Sequence, residues 1–143
     1  MDHVAIMRKS WRLTEKILAG TKKIESRWYL NKSAPWGKIA AGDRVFFKDS
    51  GDPVTVQADV EKVLAFDGLT PAKVKELLDK YGGVDGIETV DAENFYARFK
   101  DKNYCLLIFL KNPKAIEPFE IDKSGFGLMA AWLTVDSIDR IRK

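Results

Sequence analysis

Histidine and cysteine each occur once in the 143 residues, as His3 and Cys105. One cysteine excludes an internal disulfide. Cys105 lies inside the apolar run Tyr104-Cys105-Leu106-Leu107-Ile108-Phe109-Leu110, where a thiol is expected to be buried and inert. One histidine leaves no Cys or His cluster with metal-ligand spacing, and no Ser-His-Asp or Cys-His arrangement that does without His3. No glycine-rich phosphate loop of the Walker or dinucleotide type is present. The reading therefore holds no metal and no cofactor. No apolar run approaches the length that crosses a bilayer, and the first residues lack the apolar centre of a signal peptide, so a cytoplasmic protein without membrane contact is expected.

What is present is an ordinary globular balance, 45% hydrophobic and 31% charged, in a length that fits one domain spanning residues 1–143 with a sizeable core. The net charge of +3 is modest but unevenly placed. Residues 1–48 carry 11 Lys and Arg against 4 Asp and Glu, and the remainder 13 against 17. A basic first third on a slightly acidic chain is what a phosphate backbone would meet.

The chain is organised around residues 17–29. Trp11, Leu13, Ile17 and Leu18 recur at helical spacing, Ser10 is placed to cap a helix over 11–19, and Gly20 stands where a left-handed stop is wanted. Beyond Gly20 the period becomes two. Lys22, Ile24, Ser26 and Trp28 point to one side of a strand, and Lys23, Glu25, Arg27 and Tyr29 to the other. Four charges within six positions suit a strand poorly, because Lys and Glu are weak strand formers. They are either an exposed face pairing along itself or a binding site.

The remaining elements follow from punctuation. A first strand runs from His3 to Arg8, with Val4 and Ile6 on one side. Gly42-Asp43 opens a strand over 44–48, and Asp49 to Pro53 is a turn. Val54, Val56, Ala58 and Val60 alternate with polar residues in a half-buried strand that continues irregularly to Phe66. Thr70-Pro71 starts a helix with the stripe Val74, Leu77, Leu78, Tyr81, stopped at Gly82-Gly83. Asp91 caps a second helix carrying Phe95 and Phe99. These two helices are expected over one end of the fold. Tyr104 to Lys111 is the most apolar and most central strand. Asn112-Pro113 is expected to break it, with further short strands over 116–121 and 128–132. Thr134 then caps a terminal helix, with Leu133 and Ile138 as its hydrophobic staple.

Gly20, Lys22, Glu25 and Arg27 after a short helix form a Gly-x-Lys-x-x-Glu-x-Arg pattern that resembles the signature of the ASCH domain, a small barrel related to PUA domains. Ala41-Gly42-Asp43 with its apolar strand, Lys111-Asn112-Pro113, Phe119-Glu120-Ile121 and Trp132 are similar to later segments of the same family. The resemblance implies an α+β fold, a PUA-like mixed β-barrel with short helices at its ends. It also implies a nucleic-acid-binding module, for RNA, single-stranded nucleic acid or a modified nucleoside.

On that reading Lys22, Lys23 and Arg27 contact phosphate, Glu25 receives a base edge or orients a cation, and Trp28, Tyr29 and Trp36 stack on bases in a basic, aromatic-lined cleft. Trp36, between Pro35 and Gly37, is the foremost ligand contact among the tryptophans. Some ASCH proteins are metal-independent amidohydrolases acting on N4-acetylcytidine. Their catalytic lysine corresponds to Lys22, and a threonine nucleophile stands where this chain has Glu25. A hydrolase here would therefore use Lys22 and Glu25, with Glu93 a candidate for a further catalytic glutamate. A ribonuclease assisting attack by a ribose 2′-hydroxyl is a variant of this alternative. The remaining alternative is a protein-interaction module that docks through the 70–100 helices.

Overall fold

A computed structural model describes residues 1–127 and 129–143. Six strands form one sheet in the order β2-β5-β4-β3-β1-β6. They are β1 (Asp2–Met7), β2 (Ile24–Tyr29), β3 (Arg44–Asp49), β4 (Val54–Phe66), β5 (Tyr104–Phe119) and β6 (Trp132–Val135). All neighbours are antiparallel except β1 and β3, which run parallel with Val4 opposite Phe46. The helices are α1 (Leu13–Ala19), α2 (Pro71–Tyr81) and α3 (Ala92–Phe99). The sheet curls into a half-barrel. It does not close, because β2 and β6 at its two ends are not paired with each other.

Both faces of the sheet are covered, and this explains the unbroken apolar run in β5. Inside the curl, Ala5, Met7, Val45, Phe47, Val56, Ala58, Val60, Leu106, Ile108 and Trp132 pack with Ile17 of α1. On the outer face of β2 and β5, Ile24, Trp28, Cys105 and Leu107 pack under Val74 and Leu77 of α2, and Phe99 of α3 stacks on Trp28 with ring centres 4.9 Å apart. On the outer face of β1 and β3, Val4, Phe46, Leu133 and Val135 are covered by Ile138 and Ile141 of the C-terminal turn. The helices expected over one end thus lie against the wall of the half-barrel. Val4, Val45, Val56, Val60, Leu106, Ile108 and Leu110 are buried, as the strand pattern implies, while Ile6 is partly exposed. No helix among the described residues is long and apolar enough to cross a membrane.

Local chemistry decides most element boundaries. Thr70 accepts from the Lys73 amide, and Pro71 opens α2, so that helix begins where its capping residues stand. Ser10, by contrast, does not cap α1. It sits in a 3-10 turn, Lys9–Trp11, and Arg12 in a left-handed conformation (φ 56°) separates that turn from the helix. Asp91 precedes α3 without a side-chain capping bond. Asn112-Pro113 does not end β5. Asn112 takes a positive φ of 53° and its side-chain amide donates to Asp59, while register shifts against β4 absorb the irregularity, so the strand runs on to Phe119.

The C-terminal expectations also change. The last strand is Trp132–Val135, set by pairing with β1, and Thr134 lies within it. Of the segment expected to form that strand, Leu128 lies outside the described residues. The terminal element is a 3-10 turn, Ile138–Arg140, capped by Ser137. Asp2 fixes it, accepting from the Ile138 amide at 2.7 Å and from Arg44 through two bonds.

His3 holds the β1–β6 edge. It is fully buried, and Trp132 Nε1 donates to its Nδ1 at 3.1 Å, so Nε2 carries the proton and donates to Asp43 Oδ2 at 2.8 Å. Burial pushes its pKa below the ordinary histidine value, against the pull of Asp43. The folded state therefore resists a proton that the unfolded chain accepts, and stability is lost as pH falls below about 6.5. Unfolding midpoints measured in urea between pH 7.5 and 5.5 should fall for the wild type. They should be flatter over that window for His3→Gln. A wild-type midpoint that does not decrease would contradict a neutral His3.

Candidate functional site

The site begins at the corner after α1. Gly20, at φ 82°, ends the helix in the left-handed conformation expected of it, and the amides of Thr21 and Lys22 both donate to Lys16 O. Lys22 is thereby turned inward, only 2% exposed. The loop after α2 closes over it. Val84 O accepts from the amides of Lys23 and Ile24, and Gly86 lies so close that a Cβ there would stand 3.3 Å from the Lys22 side chain. The positive φ of Gly86, 83°, adds a second reason for glycine at this approach.

Lys22 Nζ donates to Ile24 O at 2.7 Å, Asp85 O at 2.6 Å and Asp85 Oδ1 at 2.5 Å. All three N–H donors of an ammonium are used, which leaves no lone pair for a base or nucleophile. Asp85 Oδ2 accepts from Ser26 Oγ at 2.5 Å, and Ser26 Oγ in turn accepts from Trp28 Nε1 at 3.0 Å. Burial pushes the Asp85 carboxyl above the usual carboxylate range, while Lys22 and Ser26 pull it back. Glu25 is 4% exposed and stands between two cations, 3.6 Å from Lys22 through Oε1 and 3.6 Å from Arg27 through Oε2. These separations exceed hydrogen-bond length. Glu25 Oε2 and Arg27 Nε are both buried without a hydrogen-bond partner. The Arg27 guanidinium lies over the Trp132 ring, 4.9 Å from its centre.

Lys22, Glu25, Arg27, Trp28 and Tyr29 line one cleft of about 420 Å³. It occupies the seam where the half-barrel fails to close, with β2 on one side and Met7 and Ala131 on the other. An edge strand offers side chains from both its faces to such a seam, which is how Ser26 and Glu25, adjacent in sequence, line the same space.

Three residues expected in the site lie elsewhere. Lys23 is exposed and outside the cleft. Trp36 packs edge-on against Tyr104 at 5.2 Å and does not line the cleft. Tyr29 donates its hydroxyl to Ala34 O, which ties the segment after β2 back to the strand, and burial raises its pKa to about 12. Trp28, 9% exposed and stacked on Phe99, has little ring left for a base. Glu93 is exposed on α3 and does not line the cleft.

The residues that sequence reasoning missed are Ser26, Asp85, Arg8, Trp11, Phe95 and Arg98, all of which line the cleft. Asp85 had a signal, a lone carboxylate in the glycine-rich turn Gly82-Gly83-Val84-Asp85-Gly86. Ser26 lies between Glu25 and Arg27 in the strand already singled out, whereas Arg8, Trp11, Phe95 and Arg98 had no signal, since only folding brings positions near 8–11 and 95–98 together.

A curled, unclosed sheet of this order, with α1 inside the curl and a charged cleft at the seam, is a half-barrel. Its fold is that of the ASCH domain. ASCH from Zymomonas mobilis superposes with a TM-score of 0.66 at 16% identity, over 94% of this chain and 87% of that one. A mutant of the same protein gives 0.68 at 15% identity, over 97% and 93%. The N-terminal domain of Staphylothermus marinus McrB gives 0.58 at 11% identity, over 97% and 90%. No family model matches the sequence, and no curated protein matches it.

The two acids should behave differently when removed. Asp85→Ala leaves the buried Lys22 ammonium without its carboxylate and should cost about 3–5 kcal/mol. Glu25→Ala removes a carboxylate with no hydrogen bond from Lys22 or Arg27 and should cost clearly less. Urea unfolding of both variants checks this. An equal or larger loss in Glu25→Ala would assign Glu25 to the framework.

Proposed function

We propose that the chain is a nucleic-acid-binding module that takes one unstacked base of RNA, or a modified nucleotide, into the seam cleft. The observation that carries this reading is the unpartnered pair, Glu25 Oε2 and Arg27 Nε, buried in the wall of an otherwise satisfied site. Leaving a buried polar atom unpaired costs about 1–3 kcal/mol, and native structures rarely tolerate it without a reason. An acceptor beside a donor complements the edge of a nucleobase, which displays an amino or imino donor next to a carbonyl or ring-nitrogen acceptor. The cleft volume falls within the range of about 300–1,000 Å³ typical of small-ligand sites. Aromatic surface comes from Trp11 and Phe95, both half-buried at its rim. The ASCH-type fold of the neighbours is compatible with this use of the seam.

Glu25→Gln and Arg27→Ala should each weaken binding of short single-stranded RNA at least tenfold, with melting temperatures near that of the wild type. Lys23→Ala should leave binding unchanged. Fluorescence anisotropy with a labelled oligonucleotide, run beside thermal melts, checks all three. Wild-type affinity in both Glu25→Gln and Arg27→Ala would remove the reading.

One observation favours hydrolysis of an acylated nucleoside as a second reading. Ser26 Oγ already directs its proton at the Asp85 carboxylate, 2.5 Å away and inside the cleft. With Lys22 saturated and a carboxylate at position 25, Ser26 is the hydroxyl placed to attack, and Asp85 the base. Release of cytidine from N4-acetylcytidine, abolished in Ser26→Ala, is the expected result. No release by the wild type would dismiss it.

A further inference from the structure

The rim of the cleft holds a second feature. Arg8, at the end of β1, places its guanidinium 4.5 Å from the centre of the Trp11 ring, and Arg98 of α3 places its own at 4.8 Å from the same ring. Phe95 supports that ring at 5.3 Å. Nearby cations are neutralised: Lys9 by Asp52, Arg12 by Glu15, Lys16 by Glu88. Among the described residues, Arg8 and Arg98 have no acidic partner, and both are exposed. Two guanidinium groups gathered over one indole repel each other. The ring face offsets this only in part, at about 0.5–1 kcal/mol for an exposed cation. An anion within reach of both would offset the repulsion, and phosphate oxygens accept readily from guanidinium N–H groups.

The position of this pair gives the phosphate a context. Trp11, Leu13, Phe95 and Arg98 line both the seam cleft and a second groove of about 450 Å³ that runs between α1 and α3. Arg98 therefore stands where the two spaces join, and Arg8, which lines the seam cleft, meets the same Trp11 ring. The second groove is also lined by Glu88 and Asp91, whose charge disfavours another phosphate, and by Asn94, whose amide can both donate to and accept from a base.

We propose that Arg8 and Arg98 bind the phosphodiester group joined to the nucleotide whose base occupies the seam cleft, and that the adjoining nucleotide lies in the second groove. The ligand class is then single-stranded nucleic acid, engaged over at least two nucleotides, not a free nucleoside. This rests on the base-binding reading of the cleft.

The test uses the full chain and defined probes: the four ribonucleosides and the four homodinucleoside monophosphates. Each is titrated while the tryptophan indole N–H resonances are followed by NMR. The proteins are the wild type, Arg8→Ala/Arg98→Ala, Arg8→Gln/Arg98→Gln and Glu25→Gln. At least one base should bind tenfold or more tightly as the dinucleoside monophosphate than as the nucleoside, and both double variants should abolish that gain. Equal affinities in the wild type, or a gain that survives in both double variants, would overturn the phosphate site while leaving the base reading intact. An arginine-dependent gain that ignores Glu25→Gln would do the reverse. Failure of every probe to bind would overturn both.

Discussion

The burial of one ammonium sets the terms for this structure. Lys22 is removed from water, and an unpaired charge in that position would cost several kcal/mol. The chain meets the requirement with two carbonyls and one carboxylate, drawn from β2 and from the loop after α2. That loop must then lie against β2, which needs glycine at position 86 and brings α2 and α3 down onto Trp28 and Leu107. Satisfying Lys22 takes one oxygen of Asp85, and Ser26 donates to the other. Glu25 and Arg27, one residue to either side of Ser26, are left incompletely paired, and the chemical capacity of the site lies in that remainder.

The second constraint is geometric. A six-stranded sheet that curled fully would pair β2 with β6, but the two strands stay apart, and Arg27 reaches across toward Ala131 and the Trp132 ring. The gap is polar on the β2 side and aromatic at its rim. ASCH from Zymomonas mobilis and the McrB N-terminal domain share the fold, so the curled sheet is a scaffold common to chains of very different sequence. What distinguishes this chain is the set of side chains it places in the gap.

The sequence was most legible where structure depends on near neighbours. The stop at Gly20, the Thr70-Pro71 start and the alternation through Val60 all follow from local sterics and hydrogen bonding. It was least legible where a distant partner decides. Trp132–Val135 is a strand because β1 pairs with it, and residues 112–113 stay inside β5 because β4 tolerates a shifted register. The site divides in the same way. Lys22, Glu25 and Arg27 announce themselves by crowding charge onto one strand. Arg8, Trp11 and Arg98 are unremarkable on their own elements and converge only in the folded chain. Trp36 was misleading because a tryptophan in a Pro-Trp-Gly loop resembles a ligand contact, while here it packs on Tyr104.

The open edge of β2 also bears on how copies of this protein treat one another. An unpaired strand edge invites a neighbouring molecule to add a strand of its own, the first step toward aggregation. Here the middle of that edge carries Glu25 and Arg27, pointing into the seam, and its first residues are occupied by Val84. An intruding strand would have to bury both charges against foreign backbone. The residues that make the gap receptive to a ligand thus make it hostile to self-association. Exchanging them for apolar residues would leave a smoother strand and a stickier protein.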